Sequence, residues 1–269
     1  MNELERIVER TRLEVAQRRA QQPLVQLERL AARRAAEDPP RLFAAVLAGQ
    51  GLSVIAEHKR RSPSAGTIRS DLVLEDVVCA YERGGAAAVS VLTERVGFGG
   101  SLDDLARARA AVSLPVLRKD FVVDPYQVVE SMAAGADAIL LIVAALTPTQ
   151  LSTLYTSARA AGLAVLVEVH DAHELEQAAA VGAEIIGINN RDLTTLVVDT
   201  GRTFELLASV PPGATVVAES GFRTRAELDR LERAGVHGVL VGEALMRSPE
   251  IEATCRTLAG GRPLADHVH

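Results

Sequence analysis

The stretch PVLRKDFVVDPYQVVESMAAGADAILLI, residues 115–142, contains one full repeat of a larger pattern. An apolar run, PVLR (115–118), closes on the polar residues Lys119 and Asp120. A helical segment, YQVVESMAAGA, follows, and its Gly135-Ala136 pair leads into a second apolar run, DAILLI (137–142). The runs are continuous rather than alternating, so they read as strands buried on both faces. Strand, helix and strand in succession imply parallel pairing through a right-handed crossover.

Working outward, the same unit recurs along most of the chain. LSVIAE (52–57), AVSVL (88–92), AVLVEV (164–169), EIIGIN (184–189), TVVAES (215–220) and GVLVG (238–242) bring the apolar runs to eight. Helical stretches such as LEDVVCAYERGG, AHELEQAAAVGA and RAELDRLERAGV lie between them. Eight strand–helix units predict an α/β fold, a (β/α)8 TIM barrel. A doubly wound open sheet is the alternative, but the first unit lacks the G-x-G-x-x-G turn of its dinucleotide-binding versions. Gly84-Gly85, Gly135-Ala136, Gly182-Ala183 and Gly235-Val236 read as helix ends.

Before the barrel, Leu4, Ile7, Val8, Thr11 and Val15 stand at helical spacing. Pro23 interrupts this helix, a second stretch runs through Leu24, Leu27, Leu30 and Ala31, and a third short one follows Pro39-Pro40 and ends near Gly49-Gln50-Gly51. Residues 1–51 are therefore expected to form an N-terminal helical extension packed on a barrel of residues 52–269, in one domain overall. Residues 1–36 hold eight Arg against five Glu and no aromatic residue, which reads as a mostly solvated basic face and not as a nucleic-acid surface.

Of the 269 residues, 48% are hydrophobic, 3% aromatic and 24% charged, with a net charge of -6, which excludes an intrinsically disordered chain. No stretch reaches the roughly 18 uncharged apolar residues of a membrane span. The charged first 20 residues contain no apolar core of a secretory signal, so a cytoplasmic protein is expected. Cys79 and Cys255 are too few for a disulfide framework and read as small packing residues. His58, His170, His173, His237, His267 and His269 show no metal-ligand spacing and read as mostly structural or solvent-facing. The expectation is chemistry with no metal and no cofactor, on a small molecule, in a monomer or weak homo-oligomer.

Barrel chemistry sits at the C-terminal strand ends, so polar residues that close apolar runs are informative. The runs close on Glu57, His58 and Lys59; on Thr93 and Glu94; on Arg118, Lys119 and Asp120; on Glu168 and His170; on Asn189, Asn190 and Arg191; on Glu219 and Ser220; and on Gly242 and Glu243. The chain uses Arg 27 times and Lys only at positions 59 and 119. Arg supplies surface charge equally well but cannot release its proton, so the two lysines mark positions where a removable proton matters. Glu57, two residues before Lys59, shares its side of an extended strand and can pair with it. Glu168, among apolar neighbours, requires a partner or a proton. Gly turns after the first, seventh and eighth strands, with Ser62, Gly221 and Gly242, read as phosphate cradles. Glu243 would contribute its backbone N–H there.

The motifs VIAEHKRRSPSAG (54–66), SVLTERVGFGGS (90–101), PVLRKDFVVDPYQVVE (115–130), LVEVHD (166–171), GINNRDL (187–193), VVAESG (216–221) and VGEALMR (241–247) resemble those of the indole-3-glycerol phosphate synthase family. The resemblance covers all eight strands and the helical extension; His58, Arg61 and Phe222 depart from the family's usual residues. It implies tryptophan biosynthesis: an anionic phosphorylated substrate, 1-(2-carboxyphenylamino)-1-deoxyribulose 5-phosphate, closes to indole-3-glycerol phosphate with loss of CO2 and water. It further implies Lys119 as general acid, Glu168 as the stabiliser of the anilino nitrogen, Lys59 and Glu57 as a second acid–base pair, and Asn189, Glu219 and Ser220 as polar contacts. Arg191 would meet the substrate carboxylate, Ser62, Gly221, Gly242 and Glu243 the phosphate, and Phe98 and Phe121 the aromatic ring. Competing readings are a Schiff-base aldolase using Lys59 or Lys119, a phosphoribosylanthranilate isomerase, which would lack the extension and the AEHKR and LRKDF motifs, and a silent phosphate-binding or regulatory barrel.

Overall fold

The computed structural model describes residues 2–63 and 65–261; Ser64 of the SPSAG turn, His267 and His269 lie outside the described residues. Eight parallel strands pair each with the next, and the last with the first, to close a barrel: β1 (Ser53–His58), β2 (Ala88–Leu92), β3 (Val116–Lys119), β4 (Ala138–Ile142), β5 (Ala164–Val169), β6 (Ile185–Asn189), β7 (Thr215–Glu219) and β8 (Gly238–Val241). These are the eight runs read from the sequence, with no end shifted by more than one residue. A two-stranded antiparallel hairpin, Arg61–Ser62 with Gly66–Thr67, forms in the loop after β1.

The helices are α1 (Glu3–Gln21), α2 (Leu24–Glu37), α3 (Phe43–Leu47), α4 (Leu74–Arg83), α5 (Leu102–Ala111), α6 (Pro125–Ala133), α7 (Pro148–Ala160), α8 (Ala172–Ala180), α9 (Gly201–Leu207), α10 (Arg225–Arg233), α11 (Glu243–Met246) and α12 (Ile251–Leu258). Local sequence sets where several begin. Asp124 caps α6 with Pro125 in its first turn, Thr147 caps α7 with Pro148, and Thr224 caps α10, each in a capping box with the Gln or Glu three residues on.

Strand alternation divides the core into two shells. Ile55, Ala88, Leu117, Ala138, Leu140, Ala164, Leu166, Ile185, Val217 and Leu240 fill the barrel interior. Their neighbours Val54, Val89, Val116, Ile139, Val165, Ile186, Val216 and Val239 face the helices. Phe43 and Leu47 of α3, together with Ile7 of α1, join the interior cluster. Beyond the strands, α1 buries Ile7, Val8, Thr11 and Val15, as its spacing predicts.

The second stretch forms α2, of which Leu27 is buried against Val15 and Tyr126 while Leu24 and Leu30 are exposed. The basic face, read as mostly solvated, is less so. Arg10 pairs with Glu94 at 2.8 Å, Arg18 with Glu130 at 2.6 Å, Arg19 with Asp124 at 2.5 Å and Arg34 with Asp137 at 2.8 Å, so half of these arginines tether the extension to the barrel. Among the described residues no helix is long and apolar enough to cross a membrane.

Candidate active site

A cavity of about 440 Å³ opens at the C-terminal ends of the strands. All fourteen candidate residues line it: Glu57, Lys59 and Ser62 after β1, Phe98 after β2, Lys119 and Phe121 on and after β3, Glu168 of β5, Asn189 and Arg191 of β6 and its loop, Glu219, Ser220 and Gly221 of β7 and its turn, and Gly242 and Glu243 after β8. Alternation sorts each cluster of polar residues. Lys119 points in, whereas Arg118 points out and is buried against α6, bonded to Asp120, Glu130, Ser131 and Thr93. Glu57 points in and His58 out. Asn190 donates to the carbonyls of Glu219 and Ser220 and accepts from Thr203, so it braces the β7 turn and does not line the cavity.

Two Lys–Glu pairs face each other across the mouth. Lys59 Nζ lies 2.7 Å from Glu57 Oε1, the pairing that their spacing predicts. Lys119 Nζ lies 3.1 Å from Glu168 Oε2 and 3.4 Å from Glu219 Oε2. Glu168 Oε1 accepts a hydrogen bond from Asn189 Nδ2 at 3.0 Å. The register brings these groups level: Asn189 sits beside Glu219 and Ile142 beside Glu168.

Burial would strip Lys119 of its proton, but the charges of Glu168, Glu219 and Glu57 outweigh it and hold the ammonium well above the ordinary lysine range. The sequence reading marked this as a position where a removable proton matters, and the flanking carboxylates keep Lys119 loaded with that proton. Glu168 is likewise buried, yet the charge of Lys119, the neighbouring His170 and the bond from Asn189 hold it below the usual carboxylate range. Glu219 goes the other way: burial and the negative charge of Glu168, opposed by Lys119, push it up to about 8. Its Oε1 is buried with no hydrogen-bond partner.

The remaining lining shows how the mouth is shaped. Ser220 adopts a left-handed φ of 65°, and Gly221 follows at φ 95°. A side chain at Gly242 would meet Glu57 Oε1, so the bare backbone there comes close to the β1 carboxylate. The Glu243 side chain turns to Arg247 at 3.0 Å. The Arg191 guanidinium donates to the Leu196 carbonyl at 2.9 Å, and its backbone N–H to Asn189 Oδ1 at 3.0 Å.

The resemblance implies an N-terminal helix capping the mouth, but the individual residues that α1 and the loops add to the wall were not named from the sequence. Glu3, Leu4 and Ile7 of α1, Leu193, Leu196, Val198 and Thr200 of the loop after β6, and Phe222 and Arg223 after β7 also line the cavity. The apolar face of α1 was visible as periodicity, but periodicity does not say what the face covers. His170, read as structural or solvent-facing, sits against Glu168 with its side chain 10% exposed. Its place two residues after Glu168 was the available signal. Among the described residues no group of three His, Cys, Asp or Glu side chains is disposed to hold a metal ion.

A closed (β/α)8 barrel with paired lysines and carboxylates at its C-terminal mouth defines the class: a barrel enzyme built for acid–base chemistry on a small molecule. Residues 4–258 match the family model described as indole-3-glycerol phosphate synthase. The chain is 50% identical over 247 residues to indole-3-glycerol phosphate synthase 2 of Streptomyces coelicolor, covering 92% of this chain and 95% of that one. It is 46% identical over 264 residues to indole-3-glycerol phosphate synthase of Rhizorhabdus wittichii, covering 97% and 99% of the two chains. The chain belongs to the indole-3-glycerol phosphate synthase family. Among solved structures, thiamine phosphate pyrophosphorylase from Pyrococcus furiosus superposes with a TM-score of 0.59 at 18% identity, covering 78% of this chain and 94% of that one. That likeness speaks for the barrel alone.

Proposed function

We propose that the chain carries out the reaction its family is named for, converting 1-(2-carboxyphenylamino)-1-deoxyribulose 5-phosphate to indole-3-glycerol phosphate, CO2 and water. The observation that carries this reading is the pair of Lys–Glu couples sharing one cavity, at 2.7 Å and 3.1 Å. The reaction needs two rounds of acid–base chemistry, and a couple is present for each.

In the first round the ring carbon that bears the carboxylate bonds to the ketone carbon of the sugar chain. The carbonyl oxygen becomes an alkoxide and takes a proton from Lys119, which starts the step charged. Positive charge spreads to the anilino nitrogen, where the Glu168 carboxylate stabilises it. Loss of CO2 restores the aromatic ring. In the second round the new hydroxyl leaves as water with a proton from one member of the site while a base removes a proton from the neighbouring carbon; Lys59 and Glu57 are placed for this. Phe98 and Phe121 flank the aromatic ring, with Asn189, Glu219 and Ser220 as polar contacts. Arg191 meets the carboxylate, and Ser62 with the backbone at Gly221, Gly242 and Glu243 holds the phosphate. The first turn of α1 covers the mouth and keeps water out. The enzyme works in the cytoplasm, as a monomer or weak homo-oligomer.

A Schiff-base mechanism requires a neutral amine, and the carboxylates around Lys119 disfavour that form. The test is turnover of the carboxyphenylamino substrate, followed by indole fluorescence, in the parent and in Lys119→Met. The variant is expected to lose about 10²- to 10⁴-fold in kcat. Undiminished kcat overturns Lys119 as the acid, and a parent without turnover overturns the function.

A further inference from the structure

His170 is a charged group of the site that the reaction scheme above leaves unused. Its Nδ1 lies 2.9 Å from Oε2 of Glu174, in the first turn of α8, and the same oxygen accepts the backbone N–H of His170 at 2.7 Å. Asp171 caps that turn by accepting from the Glu174 N–H at 2.9 Å. These bonds hold the ring so that Nε2 faces Glu168 Oε1 at 3.4 Å. That is ion-pair distance but long for a hydrogen bond, and Nε2 is buried without a hydrogen-bond partner. A donor poised this way shortens its contact once substrate charge fills the site.

We propose that His170, oriented by Glu174, is a positioning residue that keeps Glu168 ionised and aimed throughout ring closure. The proposal rests on the roles given above to Lys119 and Glu168. Before the step, Lys119 balances the charge of Glu168. When Lys119 protonates the forming alkoxide it becomes a neutral amine, and Glu168 loses that counter-ion just as its own charge is needed against the anilino cation. The imidazolium on the other oxygen of Glu168 takes no part in the transfer, so its charge remains.

The titratable groups that meet here are Glu168 on the strand of His170 itself, Glu174 from α8, Lys119 from β3 and Glu219 from β7, with Asn189 of β6 as a neutral donor. Burial disfavours a charged ring, but Glu168 and Glu174 overcome it and raise His170 to about 10. The ring therefore remains charged across the neutral range.

The experiment compares the full-length parent with His170→Asn, Glu174→Gln and the double variant. It records kcat and KM against pH with the carboxyphenylamino substrate, thermal stability, and the titration of His170 by nitrogen NMR in ligand-free protein. His170→Asn is expected to lower kcat roughly 10- to 100-fold with little change in KM, the loss of one charge-assisted contact. In Glu174→Gln the imidazole titrates lower, and kcat acquires a basic limb at about pH 7–9, closer to the free imidazole value. The double variant has no such limb and falls no further than His170→Asn. Retention of kcat in His170→Asn, or a folded Glu174→Gln with the parent's pH profile, overturns the proposal. An imidazole that titrates near its ordinary value in the parent also overturns it, without reference to turnover. A parent that does not act on the substrate overturns the functional reading instead, so the two failures are distinct.

Discussion

His58 is a buried ionisable residue that the chemistry leaves aside. It faces away from the cavity, 2% exposed. Burial first, then the positive charge of Arg60, push its imidazole from 6.5 down to about 4, against the smaller pull of Asp104 and Glu57. The folded protein thus binds this proton less readily than the unfolded chain. The stability contribution is complete above about pH 6.5 and is lost as pH falls toward 4, a loss on the order of 3 kcal/mol. In His58→Val, the melting temperature should fall less steeply across this window than in the parent, because the Arg60–Asp104 pair is common to both. Parallel melting curves would refute it. Single residues were legible in the sequence where strand parity applied: Lys119 and Glu168 could be placed by the apolar runs that they close. Parity also separates Lys119 from Arg118, but the burial of Arg118 depends on Glu130 and Ser131 of α6, and no strand pattern contains that information.

At the level of elements, Gly182 and Gly187 show what a sequence signal does and does not reveal. Gly182 follows the C-terminus of α8 at φ 70°, with nothing within 4 Å of a built side chain. The Gly-Ala pair made that helix end readable. Gly187 lies in the middle of β6, where it read only as part of an apolar run. There a side chain would meet Glu219 Oε1 of β7 and approach Leu166 to 3.2 Å. The bare backbone of one strand makes room for the carboxylate of the next. Gly182→Ala should therefore destabilise by about 1 kcal/mol through left-handed strain and leave kcat unchanged. Gly187→Ala should cost about 1–3 kcal/mol by overpacking and lower kcat as well, because it displaces Glu219 from Lys119. Thermal melts and kcat measured together check this, and an unchanged kcat in Gly187→Ala would contradict the role of Gly187. The hairpin after β1 had no comparable signal: two-residue strands with exposed Gly66 and Thr67 carry no periodicity to read.

For the whole molecule, the question is whether the extension is part of the barrel's cooperative unit. The first turn of α1 lines the mouth, whereas the chain after α2 reaches the opposite end, where Asp137 precedes β4 and is fully buried. Asp137 Oδ1 accepts from Arg34 at 2.8 Å and from the Arg41 backbone at 2.9 Å, and Oδ2 accepts from the Val116 backbone at 2.8 Å. Arg109 of α5 approaches the same carboxylate at 3.3 Å, and the Arg41 guanidinium donates to the carbonyls of Val112 and Leu114 at 2.7 Å. One carboxylate thus joins the extension to β3, β4 and α5. Asp137→Asn keeps the shape but turns an amide toward a backbone N–H and leaves Arg34 and Arg109 without their shared anion. Breaking a buried charge cluster from one side costs about 3–5 kcal/mol. If the clamp makes a single folding unit, hydrogen exchange in this variant should speed up together in α2 and in the barrel strands by the same free energy. Faster exchange confined to α1 and α2 would show an extension that melts by itself. Joint loss is the expected result, because the ion pairs of Arg10 and Arg18 reach the barrel at the mouth and side while Asp137 holds its base, so no segment of the extension can detach without breaking a buried charge.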